Sequence, residues 1–314
     1  MLAGYPSVVI SMHRPVLYQE IIHSLSPQRG GHYVDATLGA GGHTWGILEA
    51  SAPDGLLLGM DVDPQALELA RNKLSVFGSR AILVRASYTS LAEQLAELKW
   101  PSVDGIVLDL GVSSMQLDTP QRGFSFQVDA PLDMRFDPDN PVQAADLVNT
   151  LPEGDIADLL FRYGEEHQSR RVARAIVQAR PLETTGQLAR VVAGVTGSGK
   201  KGMHPATRTF QALRIAVNRE LEALEEFLPQ ALTSLASAGR VAVISFHSLE
   251  DRIVKQYFKK ESQDCICPPK QPMCTCGHKA VVRILTRRPI RPGATEVNAN
   301  PRSRSARLRV AEKI

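Results

Sequence analysis

The stretch YVDATLGAGGHT, Tyr33 to Thr44, joins an apolar run to a helical pattern through closely spaced glycines. Glycine lets the backbone turn sharply and lets a ligand approach it closely, because it carries no side chain. A helix after such a turn presents free N–H groups and the positive end of its dipole to whatever lies over the turn. The stretch therefore predicts a nucleotide-like ligand at the carboxyl end of the first strand of an α/β sheet.

Short apolar runs alternate with helical patterns through the first third of the chain, as in GLLLGMDVD (55–63) followed by PQALELARNKLSVF (64–77). Nearly every position of these runs is apolar, which is typical of strands buried on both faces of a parallel sheet. The alternation resumes late in the chain with GRVAVISF and ends in two further predicted strands, AVVRILT and RSARLRVAEK. The predicted fold class is a Rossmann-like α/β sheet covered by helices on both faces.

A long polar passage after Gly111 interrupts this alternation, and several helical patterns follow before the strands resume. A connection of that length in a compact domain is typical of a functional segment. We therefore predict two domains. Residues 1–117 and 216–314 would form the sheet domain, and residues 118–215 an inserted helical domain that recognises the substrate.

The composition is that of a soluble globular protein, with 314 residues, 43% of them hydrophobic and 22% charged. No apolar run approaches the ~20 residues that span a bilayer, and the first residues lack the features of a signal peptide, so we predict a cytoplasmic protein. The net charge is only +3, but basic residues gather between residues 162 and 219, including Lys200 and Lys201, and between residues 278 and 310. The clusters predict a phosphate-rich partner, with solvated helix faces and a basic tail as the alternative.

All four cysteines fall in CICPPKQPMCTCGH, as Cys265, Cys267, Cys274 and Cys276. Thiols in a reducing cytoplasm do not form a disulfide framework, so metal binding is the sharper hypothesis. Four thiolates can surround a structural zinc tetrahedrally, and His278 could replace one of them. The alternative is a cysteine-rich loop without metal.

Acidic and hydroxyl side chains follow the second and fourth predicted strands. Asp61 comes twenty residues after Gly41, where a carboxylate can accept hydrogen bonds from ribose hydroxyls. Such a half-site suits a nicotinamide dinucleotide or S-adenosylmethionine. The fourth strand ends in IVLDLGVSS, which places Asp109, Ser113 and Ser114 at the same sheet edge. Polar acceptors there suit an amine substrate, and we find no candidate to polarise a carbonyl for hydride transfer, which favours S-adenosylmethionine.

Eight sequence blocks that span almost the whole chain resemble the bacterial RsmH/MraW family, in the family's order. They are HRPVL (13–17), DATLGAGGHT (35–44), DLGVSSMQLD (109–118), RGFSF (122–126), PLDMR (131–135), HPATRTFQALRIAVN (204–218), ISFHSLEDRIVK (244–255) and NPRSRSARLR (300–309). The resemblance implies a Rossmann-like methyltransferase with an inserted helical domain. It further implies methyl transfer from S-adenosylmethionine to the N4 amine of a cytidine in the decoding region of 16S ribosomal RNA, in the small ribosomal subunit.

The resemblance also implies a set of cofactor contacts. The family's contacts to the methionine end fall on Gly41, Gly42 and His43. Its contact to the ribose falls on Asp61, and its contact to the adenine falls on Tyr88. Its remaining cofactor positions fall on Asp109 and Gln116. Without the resemblance, Tyr88 would be interpreted as a packing aromatic. Asp109 could serve the cofactor or the substrate, and family membership does not identify the general base.

We predict that Asp109, Ser113 and Ser114 orient the target amine, and that His204 and His247 are candidate proton acceptors. A lone histidine is more often a hydrogen-bonded structural residue, so that alternative stays open. Candidates for RNA contacts are the phosphate-binding Arg208, Arg214 and Arg252 and the base-stacking Phe124 and Phe126. For the phenylalanines, core packing is the alternative.

Three other functions fit parts of the pattern. A nicotinamide-dependent dehydrogenase would explain the glycine turn and Asp61, and a noncatalytic RNA-binding assembly factor would explain the basic clusters. A DNA amino methyltransferase would explain the cofactor half-site and the polar edge. The resemblance across the chain favours the rRNA methyltransferase over all three.

Overall fold

The computed structural model describes residues 15–197, 204–268, 271 and 273–314. His13 and Arg14 of the HRPVL block, and Lys200 and Lys201 of the predicted basic cluster, lie outside the described residues.

Within the described residues, seven strands form one sheet. They are β1 (His32–Asp35), β2 (Leu56–Asp61), β3 (Ala81–Arg85), β4 (Val103–Asp109), β5 (Leu235–Ser245), β6 (Val282–Ile284) and β7 (Arg307–Lys313). Their order is β3-β2-β1-β4-β5-β7-β6. The first five strands pair in parallel, whereas β7 runs antiparallel to both β5 and β6. The predicted α/β fold class is confirmed, with an antiparallel addition at one edge of the sheet.

Thirteen α-helices are described. They are α1 (Tyr18–Leu25), α2 (Gly42–Ala50), α3 (Pro64–Leu74), α4 (Leu91–Glu97), α5 (Ser114–Asp118), α6 (Ala144–Thr150), α7 (Glu153–Gly164), α8 (Ser169–Gln178), α9 (Thr185–Thr196), α10 (Thr207–Asn218), α11 (Glu220–Ser234), α12 (Ser248–Glu261) and α13 (Ala294–Ala299). None of the described helices is long and apolar enough to cross a membrane.

Neighbouring residues of each central strand point to opposite faces of the sheet, as the period of two requires. Val34 and Ile106 pack in one core with Phe227 of α11 and Phe258 of α12. Tyr33, the residue before Val34, packs in the core of the other face with side chains of α1, α2 and α3. Burial on both faces explains why the strands are apolar at almost every position.

Helices α6 to α10 surround a third core, which includes Leu160, Val172, Leu188 and Phe210. The apolar spacing of each helix supplies one stripe to this core. The proposed boundary after residue 215 falls inside α10. The division into a sheet domain and an inserted helical domain stays a prediction.

Two helix starts show how side chains place the elements near the sheet edge. Asp63 caps α3, because its Oδ1 accepts the Gln65 N–H at 3.0 Å and Pro64 begins the helix. For α12, the N-cap is not Ser248, a residue type that commonly caps helices. The cap is His247, whose Nδ1 lies 3.5 Å from the Glu250 N–H nitrogen, and Ser248 is the first helical residue.

The strand order reverses between β1 and β4. The chain moves outward from β1 through β2 to β3, and β4 then returns to the other side of β1. A crevice opens at such a switch point beyond the carboxyl ends of the strands, and ligands of doubly wound sheets bind there.

Candidate cofactor-binding and active site

A cleft of about 820 Å³ lies at this switch point. Its wall includes the turn after β1, the ends of β2 and β4, and side chains of the helical segment such as Phe210 and Gln211. The cleft therefore brings the predicted cofactor side of the sheet and the helical segment to one space.

The glycine turn is built from two left-handed residues, Gly39 with φ +50° and Gly41 with φ +74°. Gly39, Ala40, Gly42 and His43 line the cleft. Gly41 does not stand in that wall, and a Cβ there would lie 2.9 Å from Cδ1 of Leu74. Gly41 thus allows the turn and the close approach of α3, and the backbone on either side of it faces the cleft.

Asp61 is tied directly to the glycine turn. Its Oδ2 accepts the Gly39 N–H at 2.8 Å, and its Oδ1 accepts the Asp63 N–H at 2.9 Å. Burial raises the pKa of Asp61 to about 6, although these two backbone donors oppose the rise. The carboxylate lines the cleft beside the turn, as the sequence predicts for a ribose acceptor.

A second buried network was not foreseen from the sequence. Oδ2 of Asp63 accepts from Gln116 Nε2 at 3.0 Å and from the Arg122 guanidinium at 2.7 Å. Gln116 lines the cleft, but its amide nitrogen is held by Asp63 and its amide oxygen accepts the Ser113 N–H at 3.1 Å. The Asp-Pro pair at residues 63–64 could have predicted a structural role for Asp63, because this pair is typical of a helix start.

His43 and Asp109 meet across the cleft wall. His43 is only 4% exposed, and its Nε2 lies 3.4 Å from Asp109 Oδ2. Within the described part of the chain, neither His43 nitrogen nor Asp109 Oδ1 has a hydrogen-bond partner. Buried polar atoms without partners are rare in folded proteins, so these atoms fit a site that is completed by the polar groups of a ligand.

Asp35, at the end of β1, is a further buried acid beside this pair. Its Oδ2 accepts from the Thr44 hydroxyl at 2.7 Å, and burial raises its pKa. Asp35 was not predicted from the sequence, although its place at the carboxyl end of the first strand could have identified it.

Ser113 and Ser114 line the cleft as predicted. The Ser113 hydroxyl accepts the Gln116 N–H at 3.2 Å and so caps α5, which holds the loop after β4 in place. Tyr88 also lines the cleft, and its ring packs edge-on against Phe227 with centroids 5.3 Å apart. Burial raises the pKa of Tyr88, so its phenol stays neutral.

The two predicted proton acceptors are not among the described residues that line the cleft. His204 is exposed, its ring lies tilted by 31° against Phe126 with centroids 4.5 Å apart, and its Nδ1 accepts the Ala206 N–H at 3.2 Å. His247 caps α12, and its Nε2 lies 3.0 Å from Glu250 Oε1. The Nδ1 of each histidine faces a backbone N–H near a helix start, with His204 before α10 and His247 at the cap of α12. His247 Nε2 forms no hydrogen bond within the described residues.

The three predicted phosphate-binding arginines differ in environment. Arg214 forms a buried two-point pair with Glu220, at 2.7 and 2.8 Å, so this guanidinium is already neutralised within the protein. Arg214 also lines the cleft, and its assignment as a phosphate contact stays a prediction. The pair with Glu220 across the start of α11 was not predicted from the sequence. Arg252 is exposed and pairs with Glu165 at 3.3 Å. The pKa of Glu165 is lowered chiefly by its hydrogen bond from Ser248, then by Arg252, and least by Arg208.

The predicted stacking residues Phe124 and Phe126 both line the cleft. Phe124 is 8% exposed and stacks on Phe136 with centroids 5.5 Å apart, so most of its surface packs in the protein. Phe126 lies between His204 and Phe210, and it is partly exposed. Of the two rings, Phe126 presents more surface to a bound base.

The four cysteines come together away from the cleft. Their Sγ atoms all lie within 4.8 Å of one another, and no disulfide joins them. His278, the predicted alternative ligand, instead faces Glu261, with Nε2 3.5 Å from Oε2. We call the residues 265–276 the four-cysteine segment.

Comparison with known proteins gives a consistent result. A family profile described as the MraW methylase family matches residues 10–314. The Ribosomal RNA small subunit methyltransferase H of Dehalococcoides mccartyi is 53% identical over 302 residues, which cover 96% of this chain and 86% of the relative. The protein of the same name from Citrifermentans bemidjiense is 54% identical over 307 residues, covering 96% and 98%. A solved rRNA methylase from Streptococcus thermophilus is 11% identical, covers 96% of this chain and 99% of its own, and has a TM-score of 0.44.

Proposed function

The chain belongs to the MraW methylase family, and on that premise we propose that it transfers a methyl group from S-adenosylmethionine to 16S ribosomal RNA. The proposed acceptor is the exocyclic N4 amine of a cytidine in the decoding region. One observation carries the proposal: the glycine turn, the Asp61 carboxylate bonded to it at 2.8 Å, and Asp109 all border one cleft at the switch point of the sheet.

The residues of the cleft fit S-adenosylmethionine. Asp61 offers carboxylate oxygens to the ribose hydroxyls, and Tyr88 offers an aromatic face to the adenine. Gly42 and His43 stand at the start of α2, where a helix dipole favours the carboxylate of the methionine end. The partnerless atoms of His43 and Asp109 match a polar ligand at the same place. When bound, this cofactor supplies a methyl group on a positively charged sulfur.

Asp109 is the residue that we propose acts on the substrate. The N4 amine of cytosine is a poor nucleophile, because its lone pair is delocalised into the ring, so the site must orient it. A carboxylate that accepts a hydrogen bond from the amine directs the remaining lone pair toward the methyl group. As the N–C bond forms and the C–S bond breaks, the amine becomes more acidic, and Asp109, which lines the cleft, is the proposed acceptor of its proton.

The RNA side of the site is proposed to come from residues 118–215, the predicted recognition domain. A cytidine within folded RNA must leave its stack to reach the cleft, and Phe126 lines the wall that would receive the base. The proposed phosphate contacts are Arg208 of this segment and Arg252 of α12, which lies outside it. Arg214 is left out of the proposal because its guanidinium is paired with Glu220. A small ribosomal subunit as partner places the protein in the cytoplasm.

The test is transfer of a labelled methyl group from S-adenosylmethionine to unmodified small ribosomal subunits, with the product nucleoside identified by mass spectrometry. We expect N4-methylated cytidine. A different methylated nucleoside would refute the acceptor atom. Binding of the cofactor without transfer to subunits would refute the substrate while leaving the cofactor site in place.

Two controls address the alternative functions. Excess DNA should not compete for the label, as it would for a DNA amino methyltransferase. A nicotinamide dinucleotide should not displace S-adenosylmethionine, as it would from a dehydrogenase.

A further inference from the structure

The four-cysteine segment occupies the connection between α12 and β6, far from the residues that line the cleft. The two ends of this connection are held together, since the Ala280 N–H donates to Asp264 Oδ1 at 3.2 Å and the Val281 N–H donates to the Glu261 carbonyl at 2.9 Å. The two ends of the connection therefore lie close together.

The sulfur atoms have the spacing of a metal site. Tetrahedral coordination at a zinc–sulfur distance of about 2.3 Å places neighbouring sulfurs about 3.8 Å apart. Cys274 and Cys276 have Sγ atoms 3.6 Å apart, and Cys276 and Cys265 have Sγ atoms 3.9 Å apart. These separations are far longer than the ~2.05 Å of a disulfide bond. The geometry is that of four ligands around a common centre.

Backbone N–H groups point at two of the sulfurs. The Ile266 nitrogen lies 3.4 Å from Cys276 Sγ, and the Thr275 nitrogen lies 3.5 Å from Cys267 Sγ. Such donors stabilise the negative charge of thiolates, and donors of this kind around the ligands are typical of metal sites. Ile266 lies between Cys265 and Cys267, and Thr275 lies between Cys274 and Cys276. Each cysteine pair therefore receives a hydrogen bond from the backbone of the other pair.

Hydrophobic packing does not account for this convergence. Cys265, Cys274 and Cys276 are exposed, and so are Ile266 and Met273, at 41% and 76%. Free cysteine behaves as a small apolar side chain and is normally buried, so four of them gathered at the surface have another cause. Ordering exposed residues costs conformational entropy, and binding of a metal ion would offset this cost.

We propose that Cys265, Cys267, Cys274 and Cys276 bind one zinc ion in a closed, structural site. Four thiolates fill the tetrahedron, so no position remains for water or substrate, and the site takes no part in methyl transfer. His278 is not a ligand, because its imidazole faces Glu261. The ion fixes the loop between α12 and β6 and so anchors the edge strand of the sheet. This site is independent of the proposed function.

The test measures zinc in the full-length protein, purified with a reductant and without added metal or a histidine tag. We expect about one zinc per chain by elemental analysis. The double variant Cys274→Ser/Cys276→Ser should lose it, and the matched control Thr275→Ser, which changes the residue between the two cysteines, should retain it. Circular dichroism and S-adenosylmethionine binding would show that the variants fold.

A second measurement does not depend on variants. Replacing the zinc with cobalt should give the intense visible absorption of tetrahedral cobalt–thiolate coordination. Removing the metal should speed amide hydrogen exchange in residues 264–280 by about tenfold or more, with the central strands unchanged.

Three results would overturn the proposal. The first is four titratable thiols and no zinc in freshly purified protein. The second is two disulfides by mass spectrometry in protein kept under reductant. The third is zinc that persists in the double serine variant, because the ion would then be bound elsewhere, for example near Glu220, His247 and Glu250, whose ligand atoms also lie within 4.8 Å of one another.

Discussion

Binding of S-adenosylmethionine should weaken as the pH falls through about 6, because the pKa of Asp61 is raised to about 6 by burial. In the proposed site the ribose hydroxyls donate to the Asp61 carboxylate, so the ionised form is the one expected to bind, and acid removes it. A group with this pKa is about 90% ionised at pH 7 and about 10% ionised at pH 5. The dissociation constant should therefore rise about tenfold between these pH values, which corresponds to about 1.4 kcal/mol.

Isothermal titration calorimetry of the full-length protein at pH values from 5 to 8 would measure this change. The matched variant is Asp61→Asn, which keeps the size of the side chain but is neutral at every pH. The variant should bind S-adenosylmethionine more weakly than the wild type at pH 7, and residue 61 should cause no further loss of affinity below pH 6. The variant also corrects for titration of the cofactor's own amino group and of nearby histidines, since those are common to both proteins.

Identical pH profiles for the wild type and Asp61→Asn would refute the reasoning, and so would a wild-type affinity that stays constant between pH 5 and pH 7. In the first case the pH dependence belongs to another group. In the second case, either the pKa of Asp61 lies outside the range from pH 5 to pH 7, or Asp61 does not contact the ligand.

Three further outcomes are expected. Asp109→Ala should lower the rate of methyl transfer by about 10²-fold or more at saturating cofactor and RNA, and an unchanged rate would remove Asp109 from the reaction. Arg214→Ala and Glu220→Ala should each lower the free energy of unfolding in urea by about 3–5 kcal/mol, because each leaves a buried charge without its partner. The double variant should cost less than their sum, and strict additivity would mean that the two side chains do not interact. Arg252→Ala should change the stability by less than about 0.5 kcal/mol, because its pair with Glu165 is exposed. It should reduce the salt dependence of RNA binding by about 0.7 in log-log slope in filter-binding assays, and an unchanged slope would exclude a phosphate contact.

Several features could be predicted from local sequence because they depend on neighbouring residues. The apolar runs of β1, β2 and β4 and the glycine turn after Asp35 are examples. The placement of Asp61 and Asp109 at one edge also followed, because the carboxyl ends of parallel strands meet at the same edge of a sheet. The glycine turn and Asp61 alone left two cofactors open, and the polar edge after the fourth strand favoured S-adenosylmethionine. Family resemblance implied the same cofactor and also the substrate.

Other features required the tertiary structure. The insertion of β7 between β5 and β6 depends on pairing between segments more than sixty residues apart, and strand patterns do not specify a partner. His204 and His247 are predicted proton acceptors, and the fold places His204 before α10 and His247 at the cap of α12. Neither is among the described residues that line the cleft. Arg214 was predicted from the sequence to be available to a phosphate, but the junction of α10 and α11 places its guanidinium against Glu220.

Residue type and spacing along short segments were enough to predict the α/β class, the glycine turn and the acids that end the strands. Which charged groups already have a partner within the protein depended on the fold. Arg214 is neutralised by Glu220, whereas His43 and Asp109 keep buried polar atoms that no described residue satisfies. The physical reason is that burial and ion pairing depend on the neighbours of a side chain in space, and the chain brings those neighbours together only when it folds.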